Sequence, residues 1–345
     1  MEHRLRVFDK RGDPLAEINA SVNCSWAQGD IGSLEFTISR DDANCTRENL
    51  EFGNYVLWES EFLQPWGGII WPPRDWGRGT VTVHALAGEF WFKRKWVNIA
   101  EQTGMPKNAL HGIGSAIFTK VIEIGESVGG GRIELGRLTG EGPYTKIEHS
   151  AQVSYDALQE LAGRVQQEWW LEPDTDSENR IVFFANWEVR RGKEKNFDLV
   201  EGKNFELVGM ATESGELINR VLVFGEGESW LPYAFAADKN SQFLYGATMR
   251  SEYMTEANQE TLEARAEEWL KEAAHPTIRF PATIYGDEAF RNIRLGDSFN
   301  IVMENVGFTQ RGVQMKARIT AMQYDSAANV LKAIFEQAPQ ADENE

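Results

Sequence analysis

Cysteine is scarce in this 345-residue chain: only Cys24 and Cys45 occur, 21 residues apart, with no Cys-x-x-Cys pair and no matching histidine spacing. That removes the sequence signature of a zinc site. The spacing is compatible with a bond, but so sparse a count without a secretory leader points to free thiols and a reducing compartment. The segment Met1 to Asp9 is charged and has no apolar core, so it does not read as a signal peptide. No run of about 18 apolar residues occurs, and no helical membrane span is expected. Basic residues are outnumbered, 35 against 53 acidic, for a formal charge of -18. A surface that grips a phosphate backbone needs clustered cations, so sequence-specific nucleic-acid binding is not expected.

What is present suffices for sizeable cores. Hydrophobic residues make up 42% of the chain, aromatics 11%, and there are 12 tryptophans, which excludes global disorder. A chain of this length divides into two or three domains. The acidity is spread over the whole sequence. It fits a solvated surface, and it also fits the wall of a conduit that must not hold a polyanion.

From Arg4 to Val97 the pattern is nearly all strand. Leu15 to Ala20 and Leu34 to Ser39 alternate with period two, and Tyr55 to Trp58, Gly68 to Trp71 and Thr80 to Leu86 follow. Pro72-Pro73-Arg74-Asp75 and Trp76-Gly77-Arg78-Gly79 read as turns between them. Short strands at this spacing predict a small sandwich or barrel. From Asn98 to Glu206 the character is mixed α and β. Ile113, Ala116, Ile117, Lys120, Val121 and Ile124 predict one helix, with Gly129-Gly130-Gly131 as the loop after it. A second helix starts at Ser154 as N-cap and carries the stripe Leu158, Leu161, Ala162, Val165 and Trp169. A hairpin of Trp169 to Pro173 with Ile181 to Phe184 completes this α+β segment. Further strands are expected over Ile218 to Gly225, Ile278 to Ile284, Ser298 to Met303, Val313 to Tyr324 and Val330 to Gln337. Pro232 to Pro276 interrupts them with a helix marked by Leu262, Ala266, Trp269, Leu270 and Ala273, which must stop before His275-Pro276. Ala338 to Glu345 reads as a frayed acidic tail.

Catalytic signals are weak. Asp41-Asp42 and Glu267-Glu268 are neighbours in sequence, but two adjacent carboxylates do not flank a glycosidic bond as acid and base must. His3, His84, His111, His149 and His275 have neither metal spacing nor a nucleophile motif. Gly129-Gly130-Gly131 lacks the Gly-Lys-Ser/Thr ending of a phosphate loop. No catalytic residue, metal or cofactor is expected. Trp58, Trp66, Trp71, Trp76, Trp91 and Trp96 suit core or subunit packing, or else a platform for sugars. Lys93-Arg94-Lys95, with Arg190-Arg191-Gly192-Lys193, reads as a solvated loop or as a contact for acidic neighbours.

Taken in order, Gly53-Asn54-Tyr55-Val56-Leu57-Trp58 with Trp66-Gly67-Gly68-Ile69-Ile70, the helix Ser154 to Ala162, Asn219 to Gly225, the helix before Pro276 and Gly296-Asp297-Ser298-Phe299-Asn300-Ile301-Val302 carry a resemblance. The chain resembles the tail hub proteins of bacteriophages, also called baseplate hub or tail-associated proteins and also found in phage-derived contractile injection devices. The resemblance rests on the order of parts from about Arg4 to Gln337 and on no single motif.

The resemblance implies an α+β, mainly β, fold with two tube-type β-barrel domains, an inserted mixed α+β domain and an added helical segment. The expected boundaries are 4–97 for the first barrel, 98–206 for the α+β domain, and 207–231 with 277–337 for the second barrel. The inserted helical segment, 232–276, would pack on the α+β domain, and 338–345 would be the acidic tail. It further implies a homotrimer whose six barrels match a hexameric tail tube. Such a hub would adapt the tube to a threefold tip and form the channel through which tape-measure protein and DNA leave. Its implied partners are itself, the distal tail or tail tube protein, the tape-measure protein and a tip fibre or spike protein. Its implied location is the virion tail, assembled in the host cytoplasm. Many relatives continue into a fibre, spike or peptidoglycan hydrolase; this chain ends eight residues past its last expected strand, so those activities are expected on other chains. The rival reading is a carbohydrate-binding module that contacts a cell surface.

Overall fold

Period-two alternation becomes sheet almost everywhere it occurs. The computed structural model describes residues 3–97, 109–127, 132–148, 152–209, 211–213, 217–226, 231–254, 259–285, 293–303 and 313–337. The fold is α+β and mainly β. It divides into two compact units, Met1–Leu207 with Pro281–Glu345, and Val208–Phe280. Gly129-Gly130-Gly131, His149 and the tail 338–345 lie outside the described residues, as does the side chain of Trp96.

The first unit begins with β1 (His3–Phe8), β2 (Pro14–Ile18), β3 (Val22–Ala27), β4 (Ser33–Ser39), β5 (Tyr55–Ser60), β6 (Trp66–Trp76) and β7 (Thr80–Ala87). In β4, Leu34, Phe36 and Ile38 are buried while Ser33, Glu35, Thr37 and Ser39 face outward, the division that alternation dictates. Pro72 to Trp76, expected as turn, continues β6. The pairing of β6 with β7 shifts register between Ile70 and Arg74, and prolines, which donate no ladder hydrogen bond, are accommodated at such an irregularity.

The mixed segment contains α1 (Phe90–Lys93), β8 (Trp96–Val97), β9 (Ala109–Ile113), α2 (Gly114–Ser127), β10 (Ile133–Leu138), β11 (Tyr144–Glu148), β12 (Gln152–Val153), α3 (Ser154–Val165), β13 (Glu168–Thr175) and β14 (Ile181–Glu188). β13 and β14 form the expected hairpin, and β10 joins β14 in parallel. Phe118 and Val121 of α2, Leu158 and Leu161 of α3, and Phe183 and Trp187 of β14 share one core. Two details of α3 differ from expectation. Val153 is the N-cap, in extended geometry, while Ser154 is helical and fully buried with no hydrogen-bond partner for its Oγ. Trp169 lies in β13, because Gln166 takes left-handed geometry (φ 51°) and ends the helix.

The chain closes the first unit with β15 (Leu199–Val200), β16 (Phe205–Leu207), the end of β21 (Thr277–Ile284), β22 (Ser298–Met303), β23 (Val313–Asp325) and β24 (Val330–Gln337). β3 pairs with β4 along one edge and with β23 along the other, in the register Ala27↔Ala321 to Asn23↔Asp325. The N- and C-terminal β segments therefore form one sheet, β16-β21-β24-β23-β3-β4-β7-β6-β5-β1-β2, with β22 attached to β23 and β15 to β22. Among the described residues this path stays open and no closed barrel forms.

The second unit holds β17 (Ala211–Glu213), β18 (Arg220–Gly225), β19 (Tyr233–Ala237), α4 (Lys239–Tyr245), β20 (Met249–Met254) and α5 (Gln259–Ala273). β18 was expected in a sheet with the strands after Thr277. Instead both its edges are taken, by β19 antiparallel and β20 parallel. Leu262 and Ala266 of α5 cover Val221, Val223 and Ala234. Asp238 caps α4, its side chain accepting from Ser241 N at 2.8 Å, and α5 stops at Ala273 ahead of His275-Pro276, as the proline requires.

Candidate functional site

The tryptophans singled out from sequence fall into different surroundings. Trp58 and Trp66 are fully buried; Trp58 packs with Tyr324 and Trp26, and Trp66 Nε1 donates to Ser25 O at 3.0 Å. Trp71 is half-buried against Phe90, at 5.0 Å between ring centroids. Trp91 is half-buried as well, and Trp96 contributes to β8. Trp76 alone of those with described side chains is strongly exposed, at 64%, with Arg40 over its ring at 5.3 Å.

Lys93 ends α1 and Arg94 and Lys95 follow it; Lys93 and Arg94 are exposed, while Lys95 is buried. Arg94 lies 4.5 Å from the Trp71 ring and 5.6 Å from Trp91, Lys95 is buried with Nζ 4.9 Å from Trp91, and Lys93 Nζ is 4.7 Å from Tyr155. Each aromatic face attracts a cation and the aliphatic stems pack along it. Burial pushes the Tyr155 phenol up to about 12.

A concavity lies elsewhere in the first unit. A cleft of about 360 Å³ opens between β3 and β6 on one side, β13 and β14 on another, and the segments Arg191–Lys195 and Arg294–Asp297. Its size falls within the roughly 300–1,000 Å³ of ligand sites. Trp26, Trp66 and Trp170 supply aromatic groups; Arg137, Arg191, Lys193, Lys195 and Arg294 supply cations; Asp30, Glu89, Glu172, Glu188 and Asp297 supply carboxylates.

Two glycines build the rim. Gly192 (φ 85°) and Gly296 (φ 90°) both occupy left-handed backbone, and their segments pack main chain against main chain. A Cβ on Gly192 would lie 2.2 Å from Gly296 C, and one on Gly296 would lie 2.5 Å from Arg191 O, so neither position accepts a side chain. Asp297, almost fully buried, ties the two segments together. Its Oδ1 accepts from Lys193 N (2.8 Å), its Oδ2 from Arg294 N (2.8 Å), and Lys195 Nζ stands 3.1 Å from Oδ2. Sequence reasoning found Gly296-Asp297 only as a turn leading into a strand. The clasp role had no local signal, because Lys193 and Lys195, the partners that join the second segment, lie over a hundred residues away.

Behind the rim, Glu168 and Arg318 form a two-pronged ion pair, both contacts at 2.6 Å. Arg318 also donates to Arg191 O and Gly296 O, while Glu168 accepts from Gln28 Nε2 and Arg191 N. Arg137 is shared by Glu172 and Glu188, at 3.1 Å each. Glu89 accepts from Leu171 N at 3.0 Å, and burial pushes its carboxyl up. Burial also pushes the Arg191 guanidinium down to about 10 as it stacks 5.0 Å from Trp170. These carboxylates are thus engaged in holding strands and loops. Among the described residues no cluster of His, Cys, Asp and Glu could hold a metal ion. Cys24 is buried, Cys45 half-buried, and both are free thiols; burial pushes the Cys24 thiol well up, which makes it unreactive.

No family model matches the chain, and no curated protein matches it in sequence. Solved structures match it end to end. The prophage tail protein gp18 from Listeria monocytogenes EGD-e superimposes with a TM-score of 0.63 at 9% identity, over 98% of this chain and 95% of its own. The 43 kDa tail protein of prophage MuSo2 from Shewanella oneidensis gives 0.62 at 11% identity, over 97% and 98%. The E. coli c3393 protein, described as a type VI secretion component with structural similarity to the T4 tail proteins gp27 and gp5, gives 0.54 at 10% identity, over 94% of this chain and 74% of its own. The chain therefore shares its fold with phage tail proteins.

Proposed function

We propose that this chain is a structural, non-enzymatic component of a phage tail tip or baseplate, or of a phage-derived injection device. In this reading it is a homotrimeric hub between a hexameric tail tube and a threefold tip. The observation that carries the reading is the end-to-end match, 98% of this chain on 95% of gp18. A tail role reaches this chain from the names of those neighbours and from the order of parts already described, not from sequence identity.

Within a subunit, we assign the channel-forming role to 4–97 and 281–337 and outer roles to 98–206 and the 208–280 unit, β18 going with the latter because of its pairing. The β3–β23 join supports this assignment, since it makes the two β segments one continuous wall. Partners on this reading are the tail tube protein above, the tape-measure protein within and a fibre or spike protein below. The site of action is the virion tail, assembled in the host cytoplasm, where the hub would release tape-measure protein and DNA. The carbohydrate-binding reading has less support, because an exposed sugar platform needs several uncovered rings and only Trp76 of the five with described side chains is well exposed.

The test is the solution mass of the purified chain by light scattering across a concentration range, followed by electron microscopy. A mass near three times 39.1 kDa with ring-shaped particles is expected. A strict monomer at every concentration that also fails to incorporate into tails refutes the hub.

A further inference from the structure

Helix α4 of the second unit is fastened along one side. Asp238 caps it, and Gly246 ends it in left-handed backbone (φ 82°). Ser241 and Gln242 are bound to Asn219, a fully buried residue just before β18. Asn219 Nδ2 donates to Ser241 Oγ at 3.2 Å and to Gly246 O at 2.7 Å, and Gln242 Nε2 donates to Asn219 O at 3.0 Å. Ser241 Oγ also donates to Ala274 O. These bonds hold the helix in one orientation and leave the residues after Gln242 outside.

Those residues are apolar. Phe243, Leu244, Tyr245, Gly246 and Ala247 are five consecutive exposed positions, and Met249 at the start of β20 is exposed as well. Phe243 is 90% exposed and Leu244 62%, and among the described residues no large apolar side chain is more exposed than Phe243. Side chains of this kind gain by leaving water. Their arrangement indicates what receives them. A helix that docks on a protein surface presents one apolar stripe. Phe243, Leu244 and Tyr245 instead stand at successive steps of about 100°, so they fan over about 200° of the helix, and no single flat face covers all three. A fluid apolar phase closes around such a projection. Tyr245 suits the boundary of that phase, with an apolar ring and a hydroxyl that reaches water.

Local charge agrees. Between Asp238 and Glu252 the chain has Lys239 and Arg250 and no carboxylate, although its total charge is -18. Arg250 is held 3.8 Å over the Trp269 ring, whereas Lys239 is exposed at the base of the tip, where a lysine pairs with lipid phosphate while its stem stays on apolar surface. We infer that the α4 tip inserts into the interfacial layer of a lipid bilayer, with Phe243 and Leu244 among the acyl chains and Lys239 at the level of the headgroups. The inference rests on α4 alone and stands whether or not the chain is a tail hub.

Flotation of the full chain with phosphatidylcholine vesicles in a density gradient tests it. The wild type is expected to float at millimolar lipid, in low and in high salt alike. Phe243→Ser/Leu244→Ser is expected to lose at least tenfold in vesicle affinity while keeping the wild-type unfolding midpoint, because both side chains are exposed. Tyr144→Ser removes a ring that is 74% exposed in the first unit and should float as the wild type does. The insertion is overturned by any of three results. One is a wild type that stays with the unbound fraction, which would leave the tip to a protein partner. Another is flotation that requires added phosphatidylglycerol and vanishes in high salt, which is electrostatic adsorption. The last is a double variant that floats as well as the wild type or no worse than Tyr144→Ser.

Discussion

Replacing Gly192 by alanine tests the construction of the cleft rim. The backbone there is left-handed (φ 85°), which costs a residue with a Cβ about 1–2 kcal/mol. The new Cβ would also stand 2.2 Å from Gly296 C, 2.3 Å from Gly296 O and 2.5 Å from Asp297 N. All three are main-chain atoms, so a rotamer change cannot relieve the contact and the two segments must separate. Separation breaks the bonds Lys193 N to Asp297 Oδ1 and Ser298 N to Lys193 O, worth about 1 kcal/mol each, and more for the one to a carboxylate. The expected loss for Gly192→Ala is about 4 kcal/mol. Gly202→Ala is the matched control: its φ is 76° and nothing lies within 4 Å of the added Cβ, so it should lose only the conformational part, about 1 kcal/mol. Urea unfolding followed by tryptophan fluorescence reads both, because ten of the twelve tryptophans precede Leu207. Equal destabilisation of the two variants, within about 0.5 kcal/mol, would refute the main-chain clasp.

Glu168→Ala leaves the Arg318 guanidinium facing backbone carbonyls without its counter-ion and should cost about 3 kcal/mol, while the double variant Glu168→Ala/Arg318→Met should recover part of that loss in the same assay. Hydrogen bonds from Arg180 N, Arg132 and Glu178 N hold the Asp176 carboxyl far below the usual carboxylate range. Its stabilisation is therefore complete above about pH 4, the unfolded value, and is lost as pH falls through the depressed folded value. Urea midpoints measured from pH 5 to 2 should fall more steeply for the wild type than for Asp176→Asn, and parallel curves would exclude this contribution. Trp58→Ala should lose about 3–5 kcal/mol, since its ring is fully buried between Trp26 and Tyr324. Trp76→Ser, at the surface, should stay within about 0.5 kcal/mol, and a comparable loss at both positions would contradict the burial difference.

Strand and helix were legible wherever one face of an element meets a core. Leu34, Phe36 and Ile38 announced β4, and Leu158, Leu161 and Val165 announced α3, because burial enforces the periods of two and 3.6. Failures came where that rule is suspended. Tyr233–Ala237 and Met249–Met254 form edge strands whose outward residues include Tyr233, Phe235, Met249 and Tyr253, so apolar character there carries no inside–outside code. Pro72-Pro73 punctuates like a turn yet lies inside β6, at a register break visible only beside β7. Ser154 has the composition of a cap but stands one position too late, within the helix. The cleft was the least legible feature. Arg191 stood out only as part of the basic run Arg190-Arg191-Gly192-Lys193, Gln64 and Glu168 have no motif among their sequence neighbours, and the contacts of all three come from partners on other segments.

The separations of those partners explain why order along the chain was easier to read than the site. Lys193 and Asp297 are 104 residues apart, Glu168 and Arg318 150, Gln64 and Leu295 231, and Val22 and Ser326, at the β3–β23 join, 304. Closing loops of such length costs chain entropy before any contact offsets it, so these pairings depend on strands already built from local patterns. Each local pattern is written in its own few residues. The cleft is written in none of them, since its rim comes from Gly192 meeting Gly296 and its walls from β3 and β6 facing β13 and β14. Tail proteins at 9–11% identity superimpose over nearly the whole chain, which shows that the strand order survives almost complete replacement of side chains. The charges in the cleft belong to the side chains rather than to that shared backbone.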